Sequence, residues 1–252
     1  MTASELLAAL DLPAAARVDR RVPKTLLYEY GAPTSADKRH IGEGIEHLNW
    51  VAALKPATVG VAEYRDDVRE YLEIAILNAE LRPGAKAPRL VELVHRAVPY
   101  PLLLVAAQDD RAHISAAHKR WSQGETDKTV LDGDIVRVDW TPEVDEPFRT
   151  PFLESLAIAR QPRGSLFALY NGWLETLLAL KAARRTGHFS AGVTVNGSQA
   201  RRQALQACER LEAEIAHLRT TAAREKQMAR RVDLNLELKR VEAALRAALA
   251  KL

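Results

Sequence analysis

The stretch PLLLVAAQDDRAHISAA, residues 101–117, decides the fold. Pro101–Ala107 is an unbroken apolar run, Gln108–Arg111 is a polar turn, and Ala112–Ala117 returns as a second apolar strand. A continuous apolar run bounded by turn residues reads as a strand covered on both faces. Such a hairpin has to lie inside a larger sheet with helices above and below it, and the flanking sequence is read for those pieces.

Upstream, Ala87–Ala97 reads as a helix, with Leu90, Val91, Leu93 and Val94 apolar and Pro99 beyond its end. Glu70–Leu81 contains the strand signal Tyr71–Leu77, closed by Pro83-Gly84, and Thr58–Ala62 is a short strand candidate. Asp37–Leu54 has Ile41, Ile45, Leu48 and Ala52 at helical spacing, which predicts a helix stopped by Pro56. Before it, Ser4 caps a short helix over Glu5–Leu10, and a basic, proline-marked connection follows. Downstream, Asp134–Trp140 alternates Ile135, Arg137 and Asp139 against Val136, Val138 and Trp140, a strand with one wet face. Phe152–Ala159 and Ser165–Arg185 read as helices, and Gly187–Gly197 as a loop with a short strand at Val193–Val195. This order does not alternate as a doubly wound sheet does. It predicts an α+β fold with a mostly antiparallel sheet and flanking helices over 1–146, a helical segment and loop over 147–197, and a helical tail over 198–252.

The tail runs from Ser198 to Leu252 without glycine or proline. As one helix it would reach roughly 80 Å, more than one small domain can cover. Two coiled-coil-like stripes run along it, Cys208, Leu211, Ile215, Leu218 and Ala222, then Leu234, Leu238, Val241, Leu245, Ala248 and Leu252. The register breaks between them, which leaves two readings: one long helix with a stutter or bend, or two helices with a break. Leu211, Ile215, Leu218, Leu234, Leu238, Val241 and Leu245 are the candidate association residues, for a homodimer or for packing within the chain. The break holds Arg224, Lys226, Arg230 and Arg231, the candidate DNA-backbone contacts; the same charges also suit the solvated face of an amphipathic helix.

The chain has 252 residues, 47% of them hydrophobic and 27% charged, enough for a real core and unlike a disordered chain. Net charge is +3. Residues 201–252 carry twelve Lys/Arg against seven Asp/Glu, so the basicity belongs to the tail and the body is mildly acidic. The lone Cys208 can build neither an internal disulfide nor a cysteine-rich zinc site. Residues 1–12 do not read as a signal peptide, and no apolar run is long enough to span a membrane. A cytoplasmic protein is expected.

Catalytic patterns fall short. Gly31–Lys38 lacks the glycine directly before lysine that a phosphate loop needs, and neither Gly164-Ser165 nor Gly197-Ser198 forms a nucleophile elbow. His40, His47, His113 and His118 have no zincin spacing. Tyr170, Trp173 and Phe167 read as core rather than as a base-stacking platform. Trp121, after His118-Lys119-Arg120, suits a nucleic-acid contact or a capped hairpin equally.

Four stretches in order, Trp50 with Leu54-Lys55-Pro56-Ala57-Thr58, Glu73–Arg82, Val98–Leu103 with Ile114-Ser115, and Glu225-Lys226-Gln227 with Val232, Leu234-Asn235, Leu238 and Lys239, together resemble domain-of-unknown-function family 4391. The resemblance covers about Lys24 to the end of the chain and departs from the family at Arg82, where lysine is usual. It implies a bacterial protein associated with restriction or phage defence, partnered by a helicase or DNA methyltransferase. It implies no catalytic residues. Glu43 and Glu46 on the expected helix, with Glu80-x-Arg82 at a strand end, also loosely resemble PD-(D/E)xK nucleases, which hold Mg²⁺ on two carboxylates. Against that, Asp66 and Asp67 fall in an expected loop and arginine is a poor substitute for the lysine. The favoured expectation is a non-catalytic accessory protein without cofactor. Its alternatives are a nuclease using Glu46, Glu80 and Arg82 with Mg²⁺, and a scaffold that contacts only protein.

Overall fold

The computed structural model describes residues 1–109, 111–125, 128–192 and 195–252. The chain divides into two compact units, Met1–Leu177 and Leu178–Leu252.

The first unit opens with α1 (Ala3–Ala9). Thr2, not Ser4, caps it: its hydroxyl accepts from the Glu5 amide at 3.2 Å and the Glu5 carboxylate accepts from the Thr2 amide at 2.6 Å. Within the expected basic connection lie β1 (Arg17–Arg21) and α2 (Lys24–Tyr30). Then come α3 (Ser35–Gly44), β2 (Ile45–Leu54) and α4 (Pro56–Val59), the last ended by Gly60 at φ 64°. The helix expected over Asp37–Leu54 is therefore half strand. Two register shifts, between Ile45 and His47 and between Trp50 and Ala52, interrupt the period of two, and they gave Ile45, Leu48 and Ala52 their helix-like spacing. The strand expected at Thr58–Ala62 is occupied by α4 and its glycine stop.

A small ribbon, β3 (Tyr64–Arg65) and β4 (Glu70–Tyr71), precedes β5 (Ile74–Leu81), α5 (Ala87–Ala97), β6 (Leu102–Gln108), β7 (Arg111–Trp121) and β8 (Thr129–Asp139). The unit continues through α6 (Pro142–Asp145), α7 (Arg149–Leu156) and the start of α8 (Leu166–Thr186). The main sheet has six strands in the order β1-β2-β5-β6-β7-β8. All its pairings are antiparallel except β5 with β6, which the α5 crossover joins in parallel. The hairpin of residues 101–117 thus lies inside the sheet, as its apolar strands require.

Alternation sends Ala75, Leu77, Ala79, Leu102, Leu104 and Ala106 to a core shared with Leu27 of α2, Ile41 of α3 and Leu90, Val91 and Val94 of α5. Ile76, Leu103, Val105, Ile114 and Ala116, on the opposite face, are also fully buried, and α1 packs on β6 and β7. A Cβ at Gly31 would lie 2.6 Å from the Leu93 carbonyl, so only glycine lets α2 end this close to α5. Tyr170 and Trp173 are wholly buried. The Trp173 indole donates to the Leu156 carbonyl at 2.8 Å. The Tyr170 hydroxyl sits between two strands, accepting from the Ala117 amide at 2.8 Å with the carbonyls of Leu102 (2.7 Å) and Ala117 (2.9 Å) as its acceptors.

The second unit holds the end of α8 with α9 (Val195–Arg224) and α10 (Met228–Leu249). Of the two readings of the tail, the break is the one observed: residues 225–227 interrupt the helix, and α9 and α10 pack on each other. Ion pairs join Lys181 to Glu209 (3.1 Å), Arg185 to Glu212 (3.0 Å) and Arg219 to Glu242 (2.8 Å). Cys208, Ile215, Ala222, Val241 and Ala248 are buried, while Leu211, Leu218, Leu234, Leu238 and Leu245 are half-buried. Of the strand expected at Val193–Val195, residues 193 and 194 lie outside the described residues and Val195 opens α9. No described helix is long and apolar enough to cross a membrane.

Candidate functional site

The candidate DNA contacts meet at the α9–α10 connection. Arg224 ends α9, Lys226 lies in the link, and Arg230 and Arg231 occupy the first turn of α10. All four are exposed, and none forms an ion pair with a described residue. Glu225 is locally engaged, its carboxylate accepting from the Gln227 amide at 2.8 Å. Cations in the first turn oppose a helix macrodipole, so Arg230 and Arg231 do not stabilise α10 from that position. On α10, Met228, Val232 and Leu236 recur every four residues and stand 65%, 49% and 52% exposed. This apolar stripe is distinct from the half-buried one expected from the sequence.

Glu46, Glu80 and Arg82 come to one end of β2 and β5. Glu46 is the extra residue of the first β2 irregularity, between Ile45, which faces Leu81, and His47, which faces Glu80. It lies on a strand and not on the expected helix; Glu43 remains on α3. Both Glu46 and Glu80 are exposed. Arg82 lies one residue past β5 and closes α3 instead: its amide donates to the Gly44 carbonyl at 2.8 Å and its guanidinium to the Glu43 carbonyl at 3.5 Å. Lys24 donates to the neighbouring Gly42 carbonyl at 3.1 Å. Cations at a helix C-terminus satisfy carbonyls left without a partner in the helix. Burial, together with Arg82 and Arg21, pulls the Lys24 pKa down, and Glu46 opposes them. Among the described residues no three His, Cys, Asp or Glu side chains are grouped to hold a metal ion.

The basic residues at the end of β7 are consumed internally. His118 Nδ1 pairs with the Tyr71 hydroxyl at 2.5 Å. Lys119 is buried and donates to the His95 carbonyl, and its burial brings its pKa down to about 8. His95 Nε2 meets the Ser115 hydroxyl at 3.0 Å. Arg120 donates to the Trp121 carbonyl at 3.1 Å. His118-Lys119-Arg120 is a packing element of the sheet.

A further group was not singled out from sequence. Where β6, β7 and β8 meet the loop into α6, a cleft of about 750 Å³ is lined by Arg111, His113, Arg137, Asp139, Trp140 and Glu143. Period-two alternation places Arg137 with Asp139 on one face of β8 and Arg111 with His113 on one face of β7. Pairing of His113 with Asp139 then unites the two faces. The parity was readable; the pairing was not.

The family-like stretches also converge. Lys55 and Glu73 form an ion pair at 2.9 Å, and the Ala75 amide donates to the Pro101 carbonyl at 2.9 Å, so three of the four meet at one end of β5. A family model described as "Domain of unknown function (DUF4391)" matches residues 10–245, and the chain belongs to that family. No curated protein and no solved structure matches the chain.

Proposed function

We propose that this family member is a non-catalytic accessory protein of a DNA-directed, restriction-like defence system in the bacterial cytoplasm. Its helical hairpin binds the DNA backbone, and it assembles through protein contacts with a second copy and with a helicase or DNA methyltransferase. The observation that carries the reading is the cluster of Arg224, Lys226, Arg230 and Arg231: four exposed cations without ion-pair partners among the described residues, two of them placed against the helix dipole. Cations that neutralise phosphates release counterions, so binding should weaken steeply with salt. The test is duplex DNA binding across a salt series. Binding that vanishes when all four residues are replaced by Glu supports the reading. Binding unchanged in that variant, or no binding by the wild-type chain at low salt, overturns it.

The second reading is a Mg²⁺-dependent nuclease, favoured by the strand irregularity that sets Glu46 beside the register position of Glu80, with Lys24 near Glu46. Two carboxylates can hold Mg²⁺ only if water or phosphate oxygens complete its shell. Plasmid cleavage with Mg²⁺ or Mn²⁺ that is lost in Glu80→Ala supports this reading, and no cleavage dismisses it.

A further inference from the structure

We propose that the cleft between the β6–β7–β8 end of the sheet and the loop into α6 binds a phosphate monoester group. The argument starts from hydrogen-bonding valence. His113 is 3% exposed and Trp140 5%, yet His113 Nε2, Trp140 Nε1 and Arg137 Nη1 are buried atoms with no hydrogen-bond partner among the described residues. All three residues line the same cleft. Buried polar atoms are nearly always satisfied, so three in one cleft identify chemistry that the fold has prepared and does not itself consume.

The type of atom identifies the ligand. An indole N–H and a guanidinium N–H are donors only, so what they lack is an acceptor. Asp139 accepts from Arg137 Nε at 2.8 Å and from Nη2 through the same oxygen, which fixes the guanidinium and leaves Nη1 unused. Burial and the neighbouring Arg137 bring the His113 pKa down to about 4, so at neutral pH the ring is uncharged and can present a donor at Nε2. The Trp140 ring is stacked on Phe152, with centroids 6.1 Å apart and planes at 24°. The donor set is therefore held by a salt bridge, a sheet pairing and an aromatic stack.

Arg111, exposed on the same face of β7, adds a cation without an ion-pair partner among the described residues; Asp139 and Glu143 supply the opposing charge. Several donors contributed by two strands and a loop suit an oxyanion with several acceptor oxygens, and arginine suits phosphate in particular. The cleft volume falls in the range usual for small-molecule sites. This site lies in the first unit and is independent of the hairpin reading.

The test follows the indole N–H resonance of Trp140 in ¹⁵N-labelled protein at pH 7.5, assigned by its loss in Trp140→Phe. Inorganic phosphate, acetate, 5′-AMP and a 5′-phosphorylated oligonucleotide serve as probes; the last two distinguish a free nucleotide from a strand end. A saturable shift with inorganic phosphate and with either phosphate ester, weakened at least tenfold in Arg137→Gln and at least threefold in Arg111→Gln, supports the site. Arg111 is exposed, so its variant keeps the test valid should Arg137→Gln fail to fold. No shift with any phosphate probe, which would leave the donors to water alone, overturns the proposal. So does acetate binding as tightly as phosphate, or affinity indifferent to Arg111→Gln.

Discussion

The ammonium of Lys55 lies 2.9 Å from Oε2 of Glu73, joining the residue that follows β2 to the residue that precedes β5. Glu73 is 7% exposed and its other oxygen, Oε1, is buried without a partner among the described residues, so the carboxylate depends on Lys55 for its compensation. The same contact raises the Lys55 pKa, through its hydrogen bond and charge interaction with Glu73.

Lys55→Met should cost about 1–3 kcal/mol, between the values of exposed and buried pairs, because Lys55 itself is half in water. Lys55→Met/Glu73→Gln should recover part of that loss by removing the stranded charge. Urea unfolding of the two single variants and the double variant measures the coupling. Additive losses would show that the pair does not act as a unit.

Tyr170→Phe should destabilise the first unit by about 1–3 kcal/mol, the cost of leaving buried hydrogen-bonding groups unmet. The hydroxyl is the acceptor for the Ala117 amide and offers its proton to the Leu102 or Ala117 carbonyl, so no water-exposed substitute is at hand. Thermal unfolding should report a lower midpoint with the native spectrum retained below it.

Stability should fall as the solution is acidified from neutrality. Burial, with the charge of Lys119 adding to it, brings the His95 pKa from 6.5 to about 3. Between those values the unfolded chain takes a proton that the folded chain refuses. The contribution is complete above pH 6.5 and is lost as pH falls toward 3, at no more than roughly 1.4 kcal/mol per pH unit. Denaturant midpoints at pH 7.5, 6 and 5 check this, and His95→Gln should lessen the slope if the replacement folds, with buried His113 carrying a remainder of the same sign.

If the second copy proposed above docks on this stripe, Val232→Lys with Leu236→Lys should give a monomer that keeps its fold, because both side chains are about half exposed on α10. Light scattering across a concentration series decides the point. An unchanged mass for the double variant would remove this stripe as the contact between copies.

The hairpin of residues 101–117, α5 and the antiparallel character of the sheet were legible because their apolar patterns are long and their ends carry proline, glycine or polar turns. Residues 45–54 were not, since β2 carries two irregularities and its last four residues are buried, which leaves no clean alternation to read. The basic cluster at Arg224–Arg231 was legible as composition, and the register break there marked the turn. The cleft around His113, Arg137 and Trp140 was hidden for another reason. Its members come from two strands and a loop, and only β7–β8 pairing makes them neighbours.

One consequence of the sheet order concerns what the protein avoids. Among the described residues β1 pairs only with β2 and so forms an edge of the sheet, the usual template for uncontrolled strand addition and aggregation. The strand is poorly suited to be copied: it is five residues long, carries Arg17, Arg20 and Arg21, and is broken by a register shift and by Asp19 at φ 46°. A second chain docking there would have to desolvate guanidinium groups and follow a kinked backbone. The arginines of the basic connection act here as gatekeepers, keeping a long, apolar sheet from growing past its own edge.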